Sequence, residues 1–455
     1  HHILSLAALL AMPVAAQELH TSYFMESSTT RHEMNPALLD KSYVTMPILP
    51  VGYFNIGTTG NVGLKNFVYK MEPGWQGYGM NNNNLTTFMH PSVSANEFLG
   101  GLKDNNRLSV NLKYQIFGMG FKSFGGISSV ELNLRSNTNV ALPKDLFEFM
   151  KTAGQKTDYN ISDVGIRSEN FAELGLGHSH KIGDKLTVGG KVKFLFGLGY
   201  ADALAQNLKL HLSDDKWSVK GNIDMSASLM DSELEFEDDS KDDPKTHRHR
   251  VSGIDEIKGG LSGFGMAFDL GATYQVLPDL KVSAALTDLG FINWKNTHKA
   301  TSAGEWEFDG FDNIYVSDQF KDLGDDLGDM FAVYYDGKKS QSRALAATLT
   351  LGAEYTLPAY RKLKFGFLYS SRMAGRFSYH QGMFSANVAP LKWFEAALSM
   401  GFTSSGVTGG LVASLHAKHF NLTVGTDRFF GKLSKQFIPL NRANSNLTIG
   451  MSFPM

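Results

Sequence analysis

The chain lacks cysteine and lacks long hydrophobic runs, and both absences restrict what it can be. With no cysteine among its 455 residues, disulfides, thiol catalysis and thiolate metal ligands are excluded. After the N-terminal region no stretch reaches the roughly 18 apolar residues of a transmembrane helix. The formal net charge is only -2, so nothing indicates a nucleic-acid partner.

The N-terminus carries a short apolar segment. Residues 3–16 (ILSLAALLAMPVAA) are too few to span a bilayer and end in the small-residue pattern Val14-Ala15-Ala16. This is typical of a secretory signal peptide. We therefore interpret residues 1–16 as a signal peptide and expect a mature start near Gln17, which agrees with export to a Gram-negative outer membrane.

What the chain does contain is a repeated alternation of apolar and polar residues. In the segment 185–198 six apolar residues share one parity, and polar residues or glycine take nearly all of the other; the six are Leu186, Val188, Val192, Phe194, Phe196 and Leu198. A period of two places the two sets on opposite faces of a strand. Because few apolar residues remain to form an interior, we expect the apolar face to contact lipid and the polar face to line a lumen.

The alternation predicts a chain made almost entirely of strands. We predict strands at 43–58, 107–124, 126–137, 166–181, 184–199, 203–212, 215–229, 262–277, 280–294, 342–357, 361–374, 376–388, 392–404, 407–418, 419–430 and 445–454. The predicted fold is an all-β transmembrane antiparallel β-barrel, residues 43–455, with an N-terminal plug segment. It has 14 wall strands if 203–212 and 215–229 form a hairpin above the membrane, and 16 otherwise.

The connections support this alternation of strands. Short turns at 181–184, 277–279, 357–362 and 389–391 fall on one side, which we assign to the periplasm, and long loops fall on the other. The last strand, ending near Phe453, is typical of the signal recognised by outer-membrane assembly machinery. That machinery and the lipid of the outer membrane are therefore expected partners.

Two short motifs resemble a known family. The tripeptide Asn35-Pro36-Ala37, between the signal peptide and the first strand, resembles the N-terminal hatch of the long-chain fatty-acid transporter (FadL) family. The stretches 268–274 (FDLGATY) and 286–291 (LTDLGF) are also similar to that superfamily, nearest its uncharacterised branch. The resemblance implies a 14-stranded barrel, plugged by residues 17–42, that passes hydrophobic molecules.

The residues themselves favour a plug as well. A barrel of this size would leave a lumen wide enough to leak, and residues 17–42 are the available material to fill it. Asn35 precedes a proline, so its backbone is restricted to extended or turn geometry, and its amide would tie the hatch to the wall. The alternative is that Asn35, Pro36 and Ala37 form an ordinary turn into the first strand.

Two long loops have helical periodicity. One segment begins at Pro143 and stops near Gly154, and the other runs from Ser317 to Tyr334. As in the family, we hypothesise that their apolar faces form an entry groove for a hydrophobic ligand. The alternative is that the helices pack on each other as a lid. The predicted ligand-binding residues are Leu146, Phe147, Met150, Phe320, Leu323, Leu327 and Phe331.

The sequence gives no indication of an enzyme, a metal centre or a cofactor. No G-x-S-x-G motif is present, and the glycine pairs at 175–177 and 197–199 lie inside strands. The acidic run 231–243 lacks the spacing and the glycine of an EF-hand. With the basic patch 247–250 beside it, we interpret this loop as solvated and self-neutralising.

Two functions remain. We predict an outer-membrane channel that binds or passes hydrophobic, fatty-acid-like small molecules. The alternative is a non-transporting outer-membrane scaffold whose extracellular loops bind secreted proteins. A transporter requires a continuous apolar pocket beneath the loops, whereas a scaffold would have a solid polar interior. By parity, Lys113, Lys191, Lys193, Glu354 and Glu395 face inward, so the deeper lumen is predicted to be polar.

Overall fold

The computed structural model describes most of the chain. The described residues are 18–45, 53–70, 85–152, 155–213, 217–229, 231–256, 258–302, 304–308, 332–404, 406–429 and 445–455. The predicted signal peptide therefore lies outside them. No helix among these residues is long and apolar enough to cross a membrane.

Strands dominate the structure. In chain order they are β1 (Tyr43–Thr45), β2 (Phe54–Gly60), β3 (Val68–Lys70), β4 (Leu85–Thr87), β5 (Asn105–Ser123), β6 (Gly126–Pro143), β7 (Asp158–Asn160), β8 (Gly165–Ile182), β9 (Leu186–Leu212), β10 (Trp217–Leu229), β11 (Glu233–Phe236), β12 (Val251–Glu256), β13 (Gly263–Leu277), β14 (Leu280–Trp294), β15 (His298–Thr301), β16 (Glu305–Phe308), β17 (Tyr334–Lys338), β18 (Gln341–Ala344), β19 (Ala347–Thr356), β20 (Leu363–Met373), β21 (Tyr379–Leu391), β22 (Phe394–Thr403), β23 (Gly406–His416), β24 (Asn421–Thr426) and β25 (Ser445–Pro454).

The wall is a closed antiparallel barrel of 14 strands. β1 and β2 share one wall position, as do β18 with β19, and the others are β5, β6, β8, β9, β13, β14 and β20 to β25. The last strand closes the barrel on the first, with Phe453 opposite Val44 and Ile449 opposite Phe54. The barrel therefore has no free edge, which confirms the predicted fold class with 14 wall strands.

The hairpin of β9 and β10 rises above one end of the barrel. β9 is a single strand of 27 residues, although the sequence predicted a break near residue 200. Its first half pairs with β13 as far as Gly197, and from Gly199 onward it pairs with β10. β10 then pairs with β15 and β16 rather than with a wall strand. We call this the loop end of the barrel, and the opposite end, with the short connections, the turn end.

The outer face is apolar, as the alternation predicted. Leu270, Phe367 and Leu398 are among the large apolar side chains exposed on β13, β20 and β22. From its parity with Leu349 and Leu351 the sequence predicts Leu345 on the outer face, but this was wrong, because Leu345 packs against a buried apolar cluster inside the lumen. The break between β18 and β19 explains this, because it reverses which side chains face outward. It lies beside the point where β14 shifts its register relative to β13.

Helices are few and short. The α-helices are Ala95–Gly100 and Lys144–Thr152, and the second lies within the helical segment predicted after Pro143. The 3-10 helices are His20–Ser22, Arg31–Glu33, Pro36–Leu38, Leu64–Asn66, Asp239–Lys241, Pro358–Tyr360 and Gly375–Phe377. Of the second predicted loop helix, 309–331 lie outside the described residues. Its predicted last residue, Tyr334, begins strand β17 instead.

An arginine on the outer face should cost most at mid-height of the wall. Leu398, at the middle of β22, is 56% exposed on the apolar face. We expect Leu398→Arg to lower the free energy of unfolding by about 2–4 kcal/mol, because the guanidinium would face the bilayer midplane. Urea unfolding in lipid vesicles measures this. Phe402→Arg is the matched control, on the same face near the rim, and an equal or larger loss there would contradict a lipid-facing midplane at Leu398.

Candidate functional site: the plugged lumen

The lumen is occupied by the N-terminal segment of the chain. Residues 18–42, which we call the plug, are almost entirely buried within the barrel. Apart from three 3-10 turns the plug has no regular structure, so part of its backbone must find hydrogen-bond partners on wall side chains. The placement agrees with the predicted plug segment.

Asn35, Pro36 and Ala37 lie against bare backbone of the wall. They contact β8, β9 and β13 through the 3-10 turn that they begin. A Cβ atom on Gly189 would clash with the Pro36 carbonyl, and one on Gly271 would clash with the Asn35 side chain. We call Gly189 and Gly271 the glycine seat, since the tripeptide fits against them. Glycine is required at both positions because the plug approaches the wall too closely to leave room for a Cβ atom.

The side chain of Asn35 fixes the local turn. Its Oδ1 accepts the Ala37 N–H at 3.0 Å, and its amide nitrogen donates to the Tyr23 hydroxyl at 3.0 Å. The backbone of Asn35 is extended, with φ -156°, as expected before a proline. The amide nitrogen also donates to the Ala272 carbonyl of β13 at 3.5 Å, so Asn35 organises the plug internally and ties it to the wall, as predicted.

Two wall carboxylates bind the plug backbone. Asp427, just after β24, accepts the N–H groups of His20 and Thr21 at 2.7 and 2.8 Å, and the Thr21 hydroxyl at 2.5 Å. Glu395, at the turn end of β22, accepts the Ser27 N–H at 2.8 Å. Hydrogen bonds to charged groups contribute about 1.5–3 kcal/mol each, so these carboxylates are strong anchors for one half of the plug.

An ion pair adds a further tie at the turn end. Glu26 of the plug pairs with Lys364 of β20. Although partial burial raises the pKa of the Glu26 carboxyl, the hydrogen bond and the positive charge of Lys364 lower it to about 2. The carboxylate is therefore charged at neutral pH, and this tie weakens only as the pH falls below the ordinary range of a glutamate towards 2.

The other half of the plug is held by a buried charge cluster. Lys191 Nζ lies 2.5 Å from Glu131 and 3.2 Å from Glu33, and Lys113 Nζ lies 2.7 Å from Glu33. His32 of the plug and the Tyr43 hydroxyl also bond to Glu131. All six side chains are buried. Removing one partner of a buried ion pair costs about 3–5 kcal/mol, because the other charge is left unpaired.

One group in this cluster also has the ligand types of a metal site. Ligand atoms of His32, Glu33 and Glu131 lie within 4.8 Å of one another. Both carboxylates, however, are already paired with the ammonium groups of Lys113 and Lys191. Since the two ammonium groups already neutralise the carboxylates, the arrangement is better suited to ion pairing than to binding a metal.

A second charge cluster joins five wall strands on the loop side of the plug. Arg135 of β6 makes two bonds of 2.7 Å to Asp288 and one of 2.9 Å to Glu173. Lys193 lies 2.7 Å from both Asp269 and Asp288. The lumen at this height is therefore crossed by ion pairs between opposite and neighbouring strands.

Sequence reasoning missed the inward position of Asp288. Simple parity with Leu286 places it on the outer face of β14. A register shift between β13 and β14 and a positive φ of 59° turn its side chain into the lumen. The detectable signal was an aspartate within an otherwise apolar strand, because a carboxylate facing lipid is costly. Lys113, Lys191, Lys193, Glu354 and Glu395 do face the lumen, as parity predicted.

Little space remains between the plug and the second charge cluster. A cavity of about 80 Å³ lies there, lined by Glu33 of the plug and by Arg135, Lys193 and Asp288 of the wall, among others. These lining groups are charged. This cavity is therefore not the apolar pocket that a transporter requires beneath its loops.

The predicted ligand-binding residues on the first loop helix divide between two apolar clusters. Phe147 and Met150 pack with Phe67, Phe88 and Phe98, which we call the loop apolar cluster. Leu146 instead packs against a separate cluster around Phe149 and Tyr159. The other four predicted residues, Phe320, Leu323, Leu327 and Phe331, lie outside the described residues. Ligand binding by any of the seven stays a prediction.

Filling the glycine seat should displace the plug. We expect Gly189→Ala to push Pro36 away from β9 and to cost about 1–3 kcal/mol, as overpacking does elsewhere. Limited proteolysis of residues 18–42 in the folded barrel measures the displacement. Gly190→Ala is the matched control, since its Cβ would meet no atom closer than 3.7 Å. Equal protection of the plug in both variants would contradict the seat.

Comparisons with known proteins give a family and a set of similar folds. Residues 36–427 match the model of a family of unknown function, DUF5723. No curated protein matches the sequence. Solved structures similar to the chain include the Ralstonia pickettii toluene transporter TbuX, with 10% identity, 94% of each chain covered and a TM-score of 0.45. The Pseudomonas putida toluene transporter TodX is 9% identical, with 94% of this chain and 93% of that chain covered and a TM-score of 0.41. A Pseudomonas aeruginosa FadL homologue is 9% identical, with 92% of this chain and 89% of that chain covered and a TM-score of 0.36. At these identities no site residue can be transferred.

Proposed function

Because the chain belongs to the DUF5723 family of unknown function, we propose a function from its own geometry. The protein is an outer-membrane channel that binds hydrophobic small molecules at its loops and admits them when the plug rearranges. The observation that supports this most is a barrel lumen closed by the chain's own N-terminal segment. Every tie that holds this segment is non-covalent and can be broken.

The closed wall supports a location in the outer membrane. A barrel without a free edge pairs its backbone groups within the sheet, as a bilayer requires. The apolar outer face on β13, β20 and β22 would lie in the hydrocarbon region. On this proposal the turn end faces the periplasm and the loop end faces outward, and residues 1–16 direct export.

The loop apolar cluster supports a hydrophobic ligand. The rings of Phe88 and Phe98 stack at 4.3 Å, and Phe147 packs edge-on against both. The cluster holds the helix Lys144–Thr152 against the helix Ala95–Gly100. If these helices part, the cluster offers an apolar surface beside the mouth of the lumen, and this is where we place initial binding.

A charge within this cluster should abolish binding of a hydrophobic ligand. We expect Phe147→Asp to weaken binding of a fluorescent fatty-acid probe at least tenfold, because a carboxylate at this position disrupts the apolar surface. The probe is titrated into purified protein in detergent, with the barrel checked by circular dichroism.

The matched control is a phenylalanine on another loop strand. Phe236, on β11, is 40% exposed and lies outside the loop apolar cluster, so Phe236→Asp should leave probe binding unchanged. If Phe147→Asp leaves the barrel intact and binds the probe as the wild type does, the loop apolar cluster is not the binding site.

A scaffold is the second candidate, and the polar interior favours it. The two charge clusters and the plug occupy the lumen, and β9 and β10 extend beyond the wall with β15, β16 and β17. Such an extension offers a large structured surface to a protein partner without any need for passage. The two candidates differ in whether the lumen opens.

Loosening the plug anchors should distinguish channel from scaffold. We expect the double variant Asp427→Asn with Glu395→Gln to raise conductance in planar bilayers at least tenfold, since it removes charge from hydrogen bonds that contribute about 1.5–3 kcal/mol each. Asp279→Asn is the control, because Asp279 pairs with Arg361 at the turn end and contacts no plug residue. A folded double variant that conducts no better than the wild type favours the scaffold.

A further inference from the structure

A second cavity opens at the loop end of the lumen and shares Arg372 and Tyr379 with the smaller cavity above the plug. It measures about 230 Å³ and lies between β5 and β6 on one side and β20 and β21 on the other. Its lining includes Lys103, Arg107, Arg372, Asn111 and Asn139. We propose that this mouth cavity binds a small hydroxylated organic anion of the sugar-acid class, with Arg372 as the residue that receives its carboxylate.

The charges of the mouth cavity point to an anion. Lys103, Arg107 and Arg372 contribute three cationic side chains, and no aspartate or glutamate lines the cavity. Across the described part of the chain, none of the three forms an ion pair with a carboxylate. This contrasts with Lys113, Lys191 and Lys193 deeper in the lumen, each of which is paired. A bound anion would supply the missing partner.

The hydrogen bonds of Arg372 direct further donors into the cavity. Its guanidinium donates to Oδ1 of Asn111 at 3.1 Å and to Oδ1 of Asn137 at 3.2 Å. Since arginine can only donate, both amides must turn their oxygens towards it and their NH₂ groups away. Neither NH₂ group donates to another described residue. The amide of Asn111 lines the mouth cavity, where its polarised NH₂ group is left for an acceptor in a ligand, and the amide of Asn137 lines the smaller cavity above the plug.

The remaining lining favours a ligand with several hydroxyl groups. Ser109, Ser378 and Ser404 bring hydroxyls to the cavity, and Phe377 and Tyr379 bring aromatic rings. The volume is below the roughly 300–1,000 Å³ of sites for drug-sized ligands, and it suits a single sugar ring. A hydrocarbon chain would leave the amides and cations unpaired, and a site built to hydrogen-bond rejects such a ligand strongly.

This site is independent of the proposed function. The loop apolar cluster and the mouth cavity share no residue, and they select opposite chemistries. The cavity therefore stands on its own charges and hydrogen bonds, whether the barrel conducts hydrophobic molecules or serves as a scaffold.

The test is calorimetric titration of the full chain in detergent with D-glucuronate, D-glucose and sulfate as probes. We expect glucuronate to bind, glucose to bind at least tenfold more weakly, and sulfate to bind more weakly than glucuronate. Arg372→Gln should weaken glucuronate binding at least tenfold, because a charged hydrogen bond is lost. Arg361→Gln, at an exposed turn-end arginine paired with Asp279, should bind as the wild type does.

A second variant keeps the test decisive if Arg372→Gln does not fold. Arg107 is exposed and makes no side-chain hydrogen bond within the described residues, so Arg107→Gln should fold normally and weaken glucuronate binding severalfold. The proposal is overturned if the wild type does not bind glucuronate, or if glucose or sulfate binds equally well. It is also overturned if a folded variant, Arg372→Gln or Arg107→Gln, binds glucuronate as tightly as the wild type.

Discussion

Closure of the backbone hydrogen-bond ladder is the constraint on which the rest of the structure depends. A sheet in lipid cannot leave an edge unpaired, and here β25 removes the edge by pairing with β1 and β2. Once the sheet is closed, strict alternation sends one set of side chains into lipid and the other into an enclosed lumen. Where the plug fills the lumen, that second set is shielded from bulk water, so its charges must be balanced within the lumen.

The plug and the wall achieve this balance together. Glu131, Lys191 and Lys113 belong to the wall, but Glu33, which lies near both lysines, belongs to the plug. Without the plug, the buried Lys113 and Lys191 would lose the nearby carboxylate of Glu33, and a buried charge without its partner is costly. The plug is therefore part of the electrostatics of the wall as well as an obstruction, and this explains the ion pairs between Glu33 and the wall.

The sequence predicted the wall better than the lumen, for a physical reason. Strand β14 begins at Leu280 and ends at Trp294, as its alternation predicted. The prediction succeeded because the wall side chains that face lipid are apolar at every second position. The inward side chain of Asp288 in the same strand could not be inferred from parity, since one local register shift reverses the parity that follows. The glycine seat could not be predicted at all, because Gly189 and Gly271 meet the plug only through pairing of distant segments. Residues 309–331, with four predicted ligand contacts, lie outside the described residues, so no outcome exists for them.

The loop end combines two surfaces of opposite chemistry, and their separation has a structural cause. The loop apolar cluster is built by side chains of the long connections before β5 and after β6. The mouth cavity is lined largely by wall residues such as Asn111, Asn139 and Arg372, which continue the inward polar face of their strands. At the mouth the inward wall positions are mostly polar, whereas the loops above the wall carry the apolar side chains. A barrel of this kind can therefore meet hydrophobic and charged molecules at one end without placing them in the same site.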